Sequence, residues 1–176
     1  CCFCANPYPE TVEEGFVSLF NGTDLTVRGD VRMSSGGLYT ALGGVVSAAG
    51  ARVTFADAEK VSHLIGSQNY GTFVCTEPGK KIVFETGKTY TVTTSGAFTL
   101  AGSDTEPVYL LPSTADGIWD LALQSDVARD VKYAAVSNSH ALAGLAVTVQ
   151  GGTDLGGNDS GWAFVDFIEP GAPMRW

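Results

Sequence analysis

Asp116 and Asp120 flank Trp119 in the run ADGIWDLA. Two carboxylates held roughly 5 to 9 Å apart can cleave a glycosidic bond, one as acid and the other as nucleophile or base. An indole beside them can stack on a sugar face. Asp116, Trp119 and Asp120 are therefore the candidate carbohydrate-binding group. A strand with acids at its ends and a buried tryptophan explains the same run without any chemistry. A second constellation lies in GGTDLGGNDSG, where Asp154, Asn158 and Asp159 supply hard oxygen donors and the glycines permit tight wrapping. It is a candidate calcium loop, although it lacks the nonapeptide period of Gly-rich calcium turns. An ordinary hairpin loop is the simpler reading. The two histidines, His63 and His140, have no G-x-S-x-G nucleophile elbow to work with. No residue is assigned as catalytic. Arg28 to Asp30 spell RGD, which reads as a hairpin turn.

The chain opens CCFCANPYPETVEEG. A start at Cys1 resembles a processed bacterial lipoprotein, in which the cysteine after the cut carries the lipid. Cys1 is accordingly the expected lipid-attachment residue. The prolines and glutamates that follow have no hydrophobic period, so residues 1–14 read as an extended tether and 15–176 as one domain. Cys75 stands far along the chain. A bridge to it from Cys4, or from Cys2, would close a loop of about seventy residues and add several kcal/mol. Thiolate ligation of zinc or an iron–sulfur cluster is the alternative, but no second cysteine pair stands near Cys75.

Composition bounds the partners. With 10 Lys plus Arg against 19 Asp plus Glu, the formal net charge is −9. Nucleic-acid binding needs a basic footprint, and so does docking by charge to anionic lipid, so both are excluded as expectations. A hydrophobic content of 44% over 176 residues supports a real core. No apolar run reaches the ~18 residues of a membrane helix.

The elements that must position these groups are short and mostly β. YGTFVCTEPGKKIVFETGKTYTVTTSGAFTLAG alternates strand-like runs with turn signals, as an antiparallel meander does. HALAGLAVTVQGG reads as a buried strand and GWAFVDFIEP as the last strand. GIWDLALQSD fits a strand or a short helix, and DAEKVSHLIG fits one or two helical turns, with Val61, Leu64 and Ile65 on one face. The fold expected is all-β: an antiparallel β-sandwich, jelly-roll-like, with at most one short helix. Phe16, Leu19, Phe20, Phe164 and Phe167 are its expected core, with the first and last strands in one sandwich.

The run EEGFVSLFNGTDLT, with Gly15, Phe16, Leu19, Phe20, Asn21, Gly22, Asp24 and Leu25 in order, resembles the opening of the 3-keto-disaccharide hydrolase family. The resemblance covers about fourteen residues and implies a concanavalin-like jelly roll in a secreted or lipid-anchored protein. The family's Trp after Asp-Leu is replaced here by TVRGD, and no catalytic position can be carried over.

The function expected is that of a non-catalytic, lipid-anchored extracytoplasmic domain. It would bind or brace a protein partner, as an accessory subunit of a bacterial envelope complex. The alternative is a carbohydrate-active domain. No cofactor is expected apart from calcium at the Asp154–Asp159 loop. Intact mass spectrometry of natively purified protein should show diacylglycerol on Cys1, and Cys1→Ser should move the protein to the soluble fraction. An unmodified Cys1 in a membrane-derived sample would remove the anchor.

Overall fold

The computed structural model describes residues 24–27, 33–34, 47–142 and 146–167. Every strand pairing among them is parallel. One sheet has nine strands. Along its main path run β1 (Asp24–Val27), β3 (Ser47–Phe55), β5 (Gln68–Cys75), β7 (Thr89–Ala101), β10 (Ala128–Lys132), β13 (Val147–Gln150) and β15 (Trp162–Val165). Off that path, β9 (Trp119–Leu123) pairs with β7, and β12 (Ser139–Leu142) pairs with β9. The other sheet has six strands: β2 (Met33–Ser34), β4 (Val61–Ile65), β6 (Lys81–Phe84), β8 (Val108–Pro112), β11 (Ala134–Val136) and β14 (Thr153–Asp154).

The chain therefore winds as a stack of coils. β7 straddles a corner. Its first half, to Val92, pairs with Gln68–Tyr70 and with β9, while its second half, from Ala97, pairs with Thr72–Cys75 and with β10. The nine-stranded sheet thus wraps two sides of the coil and is nearly closed, and the six-stranded sheet supplies the third.

This overturns the antiparallel, jelly-roll-like sandwich expected from the sequence, and with it the jelly roll implied by the resemblance at Gly15–Leu25. The alternation of apolar and polar residues was read correctly, because a coil also has one face inside and one in solvent. What alternation leaves open is direction. The turns at EPGK and TGK redirect the chain round a corner into the next side. They do not reverse it into its neighbour, and β3 pairs with β5, not with β4. The helix expected over DAEKVSHLIG is also replaced: Asp57 to Lys60 form a turn and Val61–Ile65 is a strand. Among the described residues there is no helix, and none long and apolar enough to cross a membrane.

Inward residues from successive coils lie on one another. Phe55, Cys75, Leu100 and Val131 are in register on one side; Leu64 and Phe84, and Ile82, Leu110 and Val136, on another. All of these are buried. Phe73 stacks against Phe55 (4.6 Å) and Phe98 (5.4 Å), and the Phe84 ring lies on Trp119 at 3.9 Å. The two buried tyrosine hydroxyls find partners within the stack. Tyr90 donates to the Leu64 carbonyl at 2.9 Å, and Tyr70 donates to the side-chain oxygen of Gln68.

Phe16, Leu19 and Phe20 lie outside the described residues. Phe164 and Phe167 are only half-buried, contrary to expectation. Phe164 packs on the rim of the core, and Phe167 leans on Tyr133 (5.1 Å). β15 and β1 sit at opposite ends of the nine-stranded sheet.

Corners need unusual backbone. Between the six-stranded side and the next, Gly66, Gly87 and Asn138 adopt positive φ after β4, β6 and β11. At the β7 corner, a Cβ on Gly96 would stand 1.7 Å from the Gly71 carbonyl oxygen, so only glycine fits.

Phe84→Ala removes the ring that touches Phe73, Tyr90 and Trp119. It should cost about 3–5 kcal/mol in a denaturant titration, a large share of a single domain's stability. A melting temperature within a degree or so of the parent would contradict the stacked core.

Candidate functional site

The parallel register builds one column of outward polar groups: Thr89 on β7, Asp120 on β9 and His140 on β12. Their inward neighbours, Tyr90, Trp119 and Leu121, are core residues. Alternation along each strand is what turns the polar side chain outward. His140 Nδ1 lies 3.6 Å from Asp120 Oδ1, with the two side chains 40% and 29% exposed. The order matters. A Ser/His/Asp-type triad needs the imidazole between hydroxyl and carboxylate. Here the carboxylate is in the middle, and two strand spacings, about 9.5 Å, separate the Thr89 and His140 positions. The column can orient an imidazole and present it to solvent, but it cannot activate Thr89.

Of the three residues in the candidate sugar site, Trp119 is fully buried. One indole face is covered by Phe84, and Nε1 donates to the Ser137 carbonyl at 3.0 Å. The tryptophan therefore offers no open face for a sugar. Asp116 stands on an exposed turn ahead of β9, and Asp120 is half-buried on the strand itself. Gly117, between them, is fixed by crowding: a Cβ there would lie 2.2 Å from Thr86 Oγ1.

The candidate calcium residues converge, but on backbone. Asp154 Oδ1 accepts from Gly156 N (2.8 Å) and from Asn158 Nδ2 (2.7 Å). Asn158 Oδ1 accepts from Ser139 N (2.9 Å), and its amide also donates to the Val136 carbonyl (2.8 Å). Asp159 Oδ1 accepts from Ala141 N and Gly161 N, both at 3.0 Å. These side chains clip the loop to the coil above it. Among the described residues, no three His, Cys, Asp or Glu side chains gather as a metal site.

Two similar clips escaped the sequence. Lys80 is buried and donates through Nζ to the carbonyls of Asp57 (3.1 Å) and Lys60 (2.8 Å). Asp126 accepts from Ser95 N at 2.8 Å, holding a non-glycine residue at φ 62. His140 as the neighbour of Asp120 was also missed. The signal for that pair is a twenty-residue offset between outward positions, which only the coil register makes meaningful.

Cys1 and Cys4 lie outside the described residues, as do Cys2 and Arg28 to Asp30. Cys75 is buried, and among the described residues it has no disulfide partner. Burial pushes its thiol up to about 11, against the lowering pull of a hydrogen bond at Glu77 and of the Lys80 charge. His63 stands half-buried on β4 in the six-stranded sheet, away from the column.

Comparison with known proteins gives no matching family model, no matching curated protein and no matching solved structure.

Asn158→Ala should cost about 1–3 kcal/mol, because it leaves Ser139 N without a partner and takes from the Val136 carbonyl one of its two donors, the other being Leu155 N. Hydrogen exchange should localise the loosening to β11 and β12. For Cys75, the folded thiol holds its proton more tightly than the ordinary value of 9.0 allows. Its contribution to stability is therefore complete below pH 9 and lost as pH rises toward about 11. Burial also raises Tyr70 and Tyr90, which act in the same direction at higher pH. The denaturant midpoint should accordingly fall above pH 9, and a flat midpoint from pH 8 to 11 would contradict a buried thiol.

Proposed function

We infer that this chain is a non-catalytic extracytoplasmic domain that binds or braces a protein partner, as an accessory part of an envelope complex. One observation carries the reading. The polar side chains of the candidate calcium loop, and two that the sequence did not single out, are spent on the fold's own backbone. Asp154, Asn158, Asp159, Lys80 and Asp126 each hold a corner or loop, and the outward Thr89–Asp120–His140 column has its carboxylate where a triad needs its imidazole. Catalytic groups need free lone pairs or protons aimed at a common point. A stiff coil with flat sides suits display and bracing.

A sugar-binding reading keeps one foothold, the half-exposed Asp120–His140 pair, with the exposed Ile118 just ahead of Asp120 in sequence. A screen of disaccharides and 3-keto-sugars separates the two. The expected outcome is no turnover, with the same proteins co-purifying from native membranes with wild type and with Asp116→Asn and Asp120→Asn. Turnover lost in either variant would replace the bracing role with an enzyme.

A further inference from the structure

Both sheets run out at the same two ends of the stack: β1 and β2 at one, β15 and β14 at the other. At the second end, among the described residues, β15 pairs only with β13 and β14 only with β11, while the free side of β12 is taken by Asn158 and Asp159. Edge strands of soluble proteins are normally blunted by lysine, proline or a bulge. β15 reads Trp-Ala-Phe-Val, with neither lysine nor proline. Among the described residues, three of the four exposed large apolar side chains sit on or beside β12, β14 and β15: Leu142 (38% exposed), Leu155 (47%) and Val165 (45%). The same end also holds Ser139 Oγ and Trp162 Nε1, buried and without hydrogen-bond partners among the described residues.

We propose that this end docks the β1/β2 end of a second copy of the chain, so that both sheets continue in parallel from one copy into the next. The occupant must offer two strand edges at once, both parallel and placed as successive coils place them. The first end of this same chain offers such a pair, since β1 joins β3 and β2 joins β4 in the parallel sense, each with its other edge unpaired among the described residues. A partner with a single edge strand would extend one sheet and leave the other open. The contact is head-to-tail, so it does not close at a dimer and it builds a file of copies. Each copy carries a net charge of −9, so added salt should strengthen the file by screening repulsion. The proposal names the partner left open in the binding reading. Sedimentation tests it and co-purification tests that reading, so the two fail separately.

The test is sedimentation velocity of the full chain from micromolar to millimolar concentration. Val165→Lys places a charge on β15, and Thr26→Lys places one on β1, where Thr26 is exposed. Wild type should grow with concentration through species larger than a dimer. Each variant alone should stay monomeric. An equimolar mixture of the two should give dimers and nothing larger, because each contributes its unblocked end. Melting curves check that both variants are folded, and Leu155→Lys serves as a second block at the same end. A wild type that stays monomeric throughout overturns the proposal. So does a closed dimer lost in Val165→Lys but kept in Thr26→Lys, which would mean a two-fold contact.

Discussion

A single coil of this chain cannot bury its own inward row. Phe73 shows why. Its ring lies between Phe55 on β3 and Phe98 on β7, the strands that flank β5 from the coil before and the coil after. The apolar surface removed from water at each level belongs to contacts between levels, at roughly 25 cal/mol per Å². Stability is then a sum over neighbouring coils, as in other stacked architectures. Every other feature serves that stacking. Side chains must keep register, so the corners must turn the chain without shifting it. Positive φ at Gly66, Gly87 and Asn138 on one corner, and at Asp57, Gly79, Tyr133 and Gly151 on another, does this repeatedly. Where the corner residue is not glycine, something offsets the backbone cost. Tyr133 rests its ring on Phe167, and Asp57 offers its carbonyl to the buried Lys80.

Much of the β content was legible in the sequence, and direction was not. Phe73 and Cys75, Ile82 and Phe84, and Tyr90 and Val92 stand at every second position along their strands, and all six are buried. A parallel coil and an antiparallel meander print the same alternation. Repeat length could have told them apart, but here it drifts. The stacked residues Phe55, Cys75 and Leu100 are twenty and then twenty-five positions apart, and Val131 follows after thirty-one. Insertions such as residues 102–107 and 113–118 fall at corners, where a stack tolerates them and where they blur the period. The helix expected at Asp57–Gly66 failed for a related reason. Val61, Leu64 and Ile65 do share a helical face, yet the structure buries Ser62 and Leu64 and half-exposes the others, a period of two.

The site residues were legible in kind and not in role. Asp154, Asn158 and Asp159 were read from the sequence as hard oxygen donors for a calcium ion. Their targets are backbone amides of β12 and of their own loop, which lie up to about twenty residues away and cannot be seen without the register. Trp119 between two acids looked like a sugar platform, but β9 alternation sends it inward and Asp120 outward. The Asp120–His140 pair follows from stacking alone: two outward positions meet because β9 and β12 are neighbours.

The same physics that holds the interior makes the ends exceptional. An interior strand such as β5 has both edges paired and its apolar side chains covered from both directions. β15 has neither among the described residues, and Val165 is 45% exposed while its counterpart one coil back, Gln150, is polar. Where stability is a sum over neighbouring coils, a terminal coil lacks one of its two interface terms. It therefore needs a polar outer face to stay soluble or a surface to lie against. An uncharged Trp-Ala-Phe-Val edge supplies no such polar face. Among the described residues, the second edge of β15 is unpaired, and its backbone groups keep the spacing that the next parallel strand requires.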